Sequence, residues 1–353
     1  MPVVDISRFH RPEIKELVKL REKNRKFTAK AFLKQTNVDP NIFYPLFQKI
    51  DNLNIRWLNG ENVKDILSEN EIALAVKYLR FFLELEADQM QELSQISNEA
   101  KIEVVNANGI SAEWNYYQNA RKDYVLIYIH GGGHIMGSVN THRLFTLALS
   151  KVTNLRVLSI NYRLAPEHAH PAALNDCLLA YNWILSLGYE QNKVLISGDS
   201  AGGYYTLLTL LKLRDQGSPL PLGALCFSPS TDMAQTGASV KKNCYTDLIL
   251  GDTGYIWWIY THLADADPFD ASVSPLYAEL KGLPPILIQV SRSEMLYDDS
   301  RRFHERGRGA GVDITLQTWD DTVHVFQNKP ELPETEEAMD KIKDFIDKLI
   351  EGE

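Results

Sequence analysis

Residues 193–202 are Lys-Val-Leu-Ile-Ser-Gly-Asp-Ser-Ala-Gly, a short apolar run that ends in a Gly-x-Ser-x-Gly pattern. A helical run from Tyr204 to Leu213 follows directly. A strand, a sharp turn and a helix in this order place the middle serine, Ser200, in a strained conformation at the turn. The flanking glycines remove Cβ atoms that such a turn would bring into contact. The stretch therefore predicts a nucleophilic serine at a helix N-terminus, where backbone N–H groups favour developing negative charge.

Similar apolar runs recur along the chain and alternate with helical segments, such as 172–187 and 202–214. Near-continuous apolar strands that alternate with helices predict an α/β protein with a mostly parallel sheet covered on both faces. In such sheets the reactive groups gather at the carboxyl ends of the strands. The predicted strands are 124–129, 155–160, 193–197, 222–227, 286–290 and 313–319.

A glycine-rich motif, His130-Gly131-Gly132-Gly133, closes the first of these strands. Acyl transfer needs N–H donors aimed at an oxygen that becomes charged in the transition state, and glycines let the backbone approach that oxygen. We expect the N–H groups of Gly131 and Gly132 to be two donors and that of Ala201, just after the serine, to be the third. A flexible turn or a phosphate loop is the alternative, but neither a Gly-Lys-Ser/Thr nor a G-x-G-x-x-G motif accompanies the glycines.

One histidine and three carboxylates have the chain order that a serine nucleophile requires, which is nucleophile, acid, histidine. His324 follows the last apolar run in a short loop, so it can serve as the general base. The acid should lie just past the run 286–290. The candidates there are Glu294, Asp298 and Asp299.

Four motifs in this order and spacing resemble the hormone-sensitive-lipase family of esterases, in its GDSAG branch. They are His130–Gly133, the segment Asn-Tyr-Arg-Leu-Ala-Pro-Glu at 161–167, Gly198–Gly203, and His324-Val-Phe. The resemblance runs from about Tyr124 to Phe326 and implies the α/β-hydrolase fold and a serine carboxylesterase. It also implies a helical cap built from N-terminal helices and an insertion after the sixth strand.

The family resemblance also bears on the acid. Members commonly have Asp-Pro-Leu-x-Asp at this point, with the first Asp catalytic. Alignment of the leucine puts Glu294 at that position, with Met295 in place of the proline. The resemblance thus implies Glu294 as the acid, since glutamate can also orient an imidazole. Asp298 would lie a turn later, at a helix start, where a capping role is the alternative.

Further residues are expected to support the site. His130 belongs to the glycine motif, and Asp199 is expected to hydrogen-bond neighbouring loops. Glu167 resembles a residue that braces the site in the family, although a solvated surface carboxylate is the alternative. The aromatic residues in the expected cap insertion either wall the substrate pocket or pack within the cap, and they are Trp257, Trp258 and Tyr260.

The first hundred residues are polar and show apolar residues at helical spacing, with Pro40 and Pro45 as expected breaks. We expect residues 1–100 to be an N-terminal helical region that largely forms the cap. Residues 101–353 would form the α/β-hydrolase catalytic domain, with a cap insertion at about 235–270.

Composition limits the partners. The 353 residues include 37 Lys and Arg against 46 Asp and Glu, a net charge of −9. This balance argues against nucleic acid or an anionic membrane as the main partner, although it is compatible with a local basic patch. Three cysteines at unrelated spacings indicate no disulfide framework and no metal site, so we expect neither metal nor cofactor. The N-terminus lacks an apolar signal region, and no apolar run approaches about 18 residues. We expect a cytoplasmic protein with no membrane span.

The function that these patterns favour is hydrolysis of a small carboxylic ester with a short acyl chain, through an acyl-enzyme. A non-catalytic ligand receptor on the same fold is one alternative, but loss of the histidine would serve that role and His324 is present. Hydrolysis of amides or lactones by the same residues is another. The family resemblance also makes a homodimer an expectation.

Overall fold

Eight strands form one sheet in the order β1-β2-β4-β3-β5-β6-β7-β8. The computed structural model describes residues 11–63, 66–94, 96–251 and 255–352. The strands from β3 onward pair in parallel, whereas β2 pairs antiparallel with both β1 and β4. The strands are β1 (Ala100–Ala107), β2 (Ile110–Tyr117), β3 (Arg121–Ile129), β4 (Leu155–Ile160), β5 (Val194–Asp199), β6 (Gly223–Phe227), β7 (Ile286–Ser291) and β8 (Ile314–Trp319).

Helices precede the sheet and fill the connections between its parallel strands. They are α1 (Pro12–Thr36), α2 (Pro40–Ile50), α3 (Leu53–Leu58), α4 (Glu69–Ser94), α5 (Val139–Thr153), α6 (Ala172–Ser186), α7 (Ala201–Asp215), α8 (Ala238–Lys242), α9 (Tyr255–Leu263), α10 (Tyr297–Gly309) and α11 (Pro333–Glu351). In the described ranges no helix is both long and apolar enough to cross a bilayer.

Strand β3 shows how the sheet is covered on both faces. Its side chains alternate between two hydrophobic clusters, because successive residues of a strand point to opposite faces. Ile127 and Ile129 belong to the cluster that contains residues of α6 and α7. Leu126 and Tyr128 belong to the cluster that contains residues of α5 and α11. The predicted α/β-hydrolase fold, with a mostly parallel sheet between helices, is thus confirmed.

All six predicted strands are present, but two strands at the edge of the sheet were missed. β1 and β2 form a hairpin whose turn, Asn108-Gly109, has positive φ at both residues, 55° and 94°. An Asn-Gly pair is the dipeptide that favours such a two-residue turn. β1 was not predicted because most of its residues are exposed and several are charged. Only its last residue, Ala107, is buried.

The described residues of the N-terminal part form helices α1–α4, which end at Ser94, whereas residues 1–10, 64, 65 and 95 lie outside the described residues. Of the two prolines expected to break the helical stretch, Pro40 lies at such a break, because α1 ends at Thr36 and α2 begins at Pro40, whereas Pro45 does not. Pro40 is the first residue of α2, where a missing N–H costs nothing, and the Asp39 side chain caps that helix by accepting the Asn41 N–H at 2.8 Å. Pro45 lies inside α2. There it leaves the Asn41 carbonyl without a helical donor.

The covered sheet generates a prediction about stability. Leu126→Ala removes a fully buried side chain from β3, and we expect it to lower the free energy of unfolding by about 2–5 kcal/mol. Urea unfolding followed by circular dichroism measures this change. Val104→Ala on β1 is the matched control, because Val104 is 75% exposed and its truncation should cost less than about 0.5 kcal/mol. Equal losses for the two variants would contradict the burial of β3.

Candidate active site

The predicted nucleophile lies at the turn between β5 and α7, and its backbone is strained as expected. Ser200 has φ 52° and ψ −116°, a region that residues with a Cβ rarely adopt. A Cβ on Gly202 would lie 1.9 Å from the carbonyl oxygen of Ile129, and one on Gly198 would lie 2.4 Å from the carbonyl carbon of Gly202. Only glycine fits at both positions, so the turn can pack directly against the end of β3.

The structure brings Ser200, His324 and Glu294 into one hydrogen-bonded chain. His324 Nε2 lies 2.9 Å from Ser200 Oγ, and His324 Nδ1 lies 3.2 Å from Glu294 Oε1. All three side chains are buried. The imidazole thus has the serine hydroxyl on one side and a carboxylate on the other, which is the arrangement that a serine nucleophile, its base and an orienting acid require.

Two residues that the sequence analysis did not single out hold the Glu294 loop. The Ser228 hydroxyl donates to Glu294 Oε2 at 2.8 Å. The backbone N–H of Met295 donates to the buried carboxylate of Asp247 at 2.8 Å. Ser228 directly follows a strand end, which is a positional signal that could have drawn attention to it. Asp247 lies in the expected cap insertion, and no motif marks it.

The other two carboxylate candidates have partners elsewhere. Asp298 accepts the Ser239 N–H at 2.9 Å and pairs with Arg301 Nε at 2.9 Å. It therefore caps the start of α8 and not, as expected from the sequence, that of its own helix. Asp299 accepts the Thr231 N–H at 2.6 Å, and its burial, together with a nearby carboxylate, raises its pKa to about 8.

The carboxylate beside His324 sets the charge state of the imidazole. Burial acts to lower the pKa of His324, because the charged form loses its hydration. The adjacent Glu294 carboxylate outweighs burial, so the pKa of His324 is held above the ordinary histidine value of 6.5. An imidazolium at this position is stabilised by the same carboxylate.

In the loop after β3, the N–H of Gly131, which was expected to be an oxyanion donor, already has an acceptor within the protein. The N–H of Gly131 donates to Asp199 Oδ1 at 2.8 Å, so it is not available to an oxygen above Ser200. This corrects the prediction for Gly131. The N–H groups of Gly132, Gly133 and Ala201 have no acceptor within the described parts of the chain. Gly132 and Gly133 have φ of 117° and 59°, which favour glycine.

The acceptor of the Gly131 N–H, the carboxylate of Asp199, has several further partners. This buried carboxylate accepts hydrogen bonds from the Tyr128 hydroxyl and from Gly131, and it lies 3.5 Å from His142 Nε2. Burial acts to raise the pKa of Asp199, but His142 and these hydrogen bonds outweigh it and hold the pKa below the ordinary value. The predicted contact of Asp199 with neighbouring loops is therefore present, and it links β5 to the glycine loop.

His130 is buried and packs its ring against Tyr162, with ring centroids 4.3 Å apart. Burial lowers the pKa of His130 to about 3, so the ring is neutral at physiological pH. Its Nδ1 lies 2.7 Å from the Gly131 carbonyl oxygen. His130 thus supports the shape of the glycine loop and does not contact Ser200 or His324 in the structure.

Glu167 forms a two-pronged ion pair with Arg80, with distances of 2.9 and 2.8 Å. The same guanidinium donates to the carbonyl oxygens of Ile135 and Ala165, at 2.7 and 2.9 Å. Arg80 belongs to α4, so one N-terminal helix fastens the loop after β3 to the loop after β4. Glu167 is thus more than a solvated carboxylate, although its side chain is half exposed.

An indole lies against the glycine loop. A Cβ on Gly133 would lie 2.3 Å from Trp258 Cε3, so the Trp258 ring rests directly on the Gly133 backbone. Trp257 and Trp258 are both buried on α9, whereas Tyr260 is half-buried.

In the described residues no cluster of His, Cys, Asp and Glu could hold a metal ion, and all three cysteines are buried and unpaired.

The chain is similar to known esterases over most of its length. A model of the alpha/beta hydrolase fold family matches residues 126–328. An acetyl-hydrolase of Streptomyces hygroscopicus is 36% identical over 69% of this chain and 82% of its own length. An esterase of Acinetobacter venetianus is 32% identical over 80% of this chain and 93% of its own length.

A solved structure extends the likeness to three dimensions. The crystal structure of an esterase from the bacterial hormone-sensitive lipase family matches with a TM-score of 0.73 and 35% identity. The match covers 87% of this chain and 98% of that protein. Together with the family model and the two relatives, this match shows that the chain belongs to the hormone-sensitive-lipase family of α/β-hydrolase-fold serine carboxylesterases.

Proposed function

We propose that this protein hydrolyses carboxylic esters of short acyl chains through an acyl-enzyme formed on Ser200. The observation that carries the proposal is the hydrogen-bonded chain from Ser200 Oγ through His324 to Glu294. A receptor that only binds its ligand has no need of a base 2.9 Å from a strained serine. Hydrolysis is therefore favoured over the receptor alternative.

The distances among Ser200, His324 and Glu294 support the following reaction. Ser200 Oγ attacks the ester carbonyl carbon while His324 Nε2 takes the hydroxyl proton. The carbonyl oxygen becomes an oxyanion, and the N–H groups of Gly132, Gly133 and Ala201 are the proposed donors to it. When the tetrahedral intermediate collapses, the ester C–O bond breaks and His324 gives its proton to the departing alcohol. A water molecule, activated by the same imidazole, then releases the acid from Ser200.

Glu294 acts on this reaction through His324. Its carboxylate accepts the Nδ1–H, which leaves Nε2 as the proton acceptor facing Ser200. The negative charge also stabilises the imidazolium of both half-reactions. The Ser228 hydroxyl and the loop bond from Met295 to Asp247 keep the carboxylate in this position.

The acyl preference is inferred from the cap. We propose that α1–α4 and residues 235–270 together form it. Asn54 of α3 supports this, because its side chain donates to the carbonyl oxygens of Leu250 and Gly251 at 2.9 and 3.0 Å. Trp258, from the same insertion, rests on Gly133 and restricts the room beside the proposed donors. We infer from the position of this indole that a small ester is preferred to a long acyl chain, which would have to displace it. The cytoplasmic location and the homodimer stay predictions.

The nucleophile and the acyl preference can be tested together. We expect the protein to hydrolyse p-nitrophenyl acetate and butyrate with a much higher kcat/KM than the laurate. Ser200→Ala should lower kcat by a factor on the order of 10³ or more, because the attacking oxygen is lost. Release of p-nitrophenol measures both, with circular dichroism as the check that the variant is folded.

Two outcomes would count against the proposal. A folded Ser200→Ala protein that keeps its esterase activity would exclude Ser200 as the nucleophile. A preference for the laurate would exclude the short-acyl assignment while it leaves the nucleophile standing. Comparable turnover of an anilide of the same acyl group would widen the assignment to amides.

The dependence of activity on pH follows from the raised pKa of His324. The base accepts a proton only when neutral, so it works above its pKa and fails below it. We expect kcat/KM of the free enzyme to rise with pH through an apparent pKa above about 6.5 and then level off. Glu294→Gln should move this midpoint to lower pH, since it removes the charge that raises the pKa of His324. A midpoint that does not move would show that Glu294 does not act on His324.

The choice of acid can be decided with matched amide substitutions. Glu294→Gln removes the charge that faces the imidazolium, and we expect kcat to fall by up to about 10⁴-fold. Glu294→Asp keeps the charge but shortens the reach, so a partial loss is expected. Asp298→Asn is the control, because this residue only caps α8 and pairs with Arg301; it should cost about 1 kcal/mol of stability and little activity.

Steady-state kinetics and melting temperature of the three variants give the answer. An active Glu294→Gln protein beside an inactive but folded Asp298→Asn protein would reverse the assignment.

A further inference from the structure

Helix α1 carries a continuous row of lysines on one side. Six lysines follow one another at intervals of three or four residues, and in the order of the chain they are Lys15, Lys19, Lys23, Lys26, Lys30 and Lys34. At 100° per residue all six fall within about 100° of arc, and at 1.5 Å per residue the row is about 28 Å long. We call this set the lysine row.

The lysine row is exposed, and two exposed carboxylates of the same helix, Glu16 and Glu22, lie at its borders. All six residues are exposed to solvent. Lys19 lies 3.5 Å from Glu16, itself well exposed, and in the described ranges the other five have no ion-pair partner. The chain as a whole has a net charge of −9, so the positive charge of this face is a local feature.

Two large apolar side chains border the row on the same flank. Leu20 is 47% exposed and Phe27 is 55% exposed. They lie seven residues apart, two helical turns, and project about 20–40° beyond Lys34 on the helical wheel. An apolar ring beside cations suits a boundary between water and hydrocarbon.

The opposite face of α1 is anchored to the rest of the protein. Ile14 and Val18 belong to one hydrophobic cluster with Val323 and Phe326, which flank His324 in the chain. Further along the helix, Phe32 is fully buried among aromatic residues of α2 and α4. The helix therefore presents the lysine row as a rigid surface, at the side of the protein where its first turns pack beside the histidine loop.

We propose that the lysine row, with Leu20 and Phe27, docks the protein on an anionic lipid bilayer surface. The ammonium groups would face lipid phosphates, and the two apolar side chains would enter the boundary between headgroups and acyl chains. The occupant is a membrane and not a nucleic acid, because a phosphate backbone alone makes no use of the apolar flank. The helix need not unfold or rotate, because the side chains involved are already exposed.

The test is co-sedimentation of the full chain with lipid vesicles. We expect binding to vesicles of mixed phosphatidylcholine and phosphatidylglycerol, little binding to pure phosphatidylcholine, and weaker binding as salt rises. The variant Lys23→Gln, Lys26→Gln, Lys30→Gln keeps helix-forming side chains but removes three charges. At about 1 kcal/mol per lysine, it should lower the partition coefficient on the order of a hundredfold.

Matched variants separate local charge from total charge. The control removes three exposed lysines elsewhere, through Lys122→Gln, Lys212→Gln and Lys281→Gln, and should bind as the intact protein does. Phe27→Ser should weaken binding to vesicles several-fold, in low and high salt alike. Melting temperature and hydrolysis of a water-dissolved ester should be unchanged in all of these variants, because none of the residues contacts the candidate active site.

Three results would overturn the proposal. The first is no binding of the intact protein to anionic vesicles, which would make the lysine row a solvated face only. The second is equal loss of binding in the two triple variants, which would assign the effect to net charge. The third is tighter binding to a short DNA duplex than to vesicles at matched phosphate concentration, with Phe27→Ser neutral in both, which would assign the face to nucleic acid.

Discussion

The close approach of the turn that holds Ser200 to the end of β3 constrains the rest of the site. Gly202 lies so near the Ile129 carbonyl oxygen that even a methyl group would collide with it. Because of this approach, the serine must adopt a positive φ, and α7 must start directly above the glycine loop that continues β3. Ser200, the proposed nucleophile, and the N–H groups of Gly132 and Gly133 thus follow two neighbouring parallel strands, and the spacing of the sheet sets their separation.

Two buried carboxylates, Asp199 and Glu294, stabilise different parts of this site. Asp199 lies on the β3 side, where it accepts the Gly131 N–H and so turns that group away from the site. Glu294 lies on the other side and faces His324. Each carboxylate is buried and each has several donors, as expected, because an unpaired charge in the interior is costly. Asp199 therefore shapes the loop, whereas Glu294 acts on the imidazole.

Much of this site could be predicted from the sequence, because its parts are local motifs at strand ends. Ser200 and His324 were predicted from motif and chain order and Glu294 from the family resemblance, and the structure brings the three together. The error at Gly131 arose because sequence spacing cannot tell which N–H of a glycine run is taken up by a carboxylate 68 residues away. For the same reason Ser228 and Asp247 were missed, since each acts only through a contact that folding creates.

The fold shows the same limit. The six predicted strands each contain a largely apolar run, whereas β1, at the solvent edge, carries charged residues and was not predicted. Edge strands need not be apolar, because one side of their backbone and much of their surface face water.

Helix α1 illustrates why a net charge says little about one surface. At physiological ionic strength charges are screened beyond about 8 Å, so acidic residues far from the lysine row do not cancel its potential. Because an α-helix turns by 100° per residue, one face of α1 packs against the protein while another faces water. Residues at one set of angles, Ile14 and Val18, pack in the cluster beside the histidine loop, and those at another carry the lysines. A change on the exposed side can therefore alter what the protein approaches without altering the residues that hold His324.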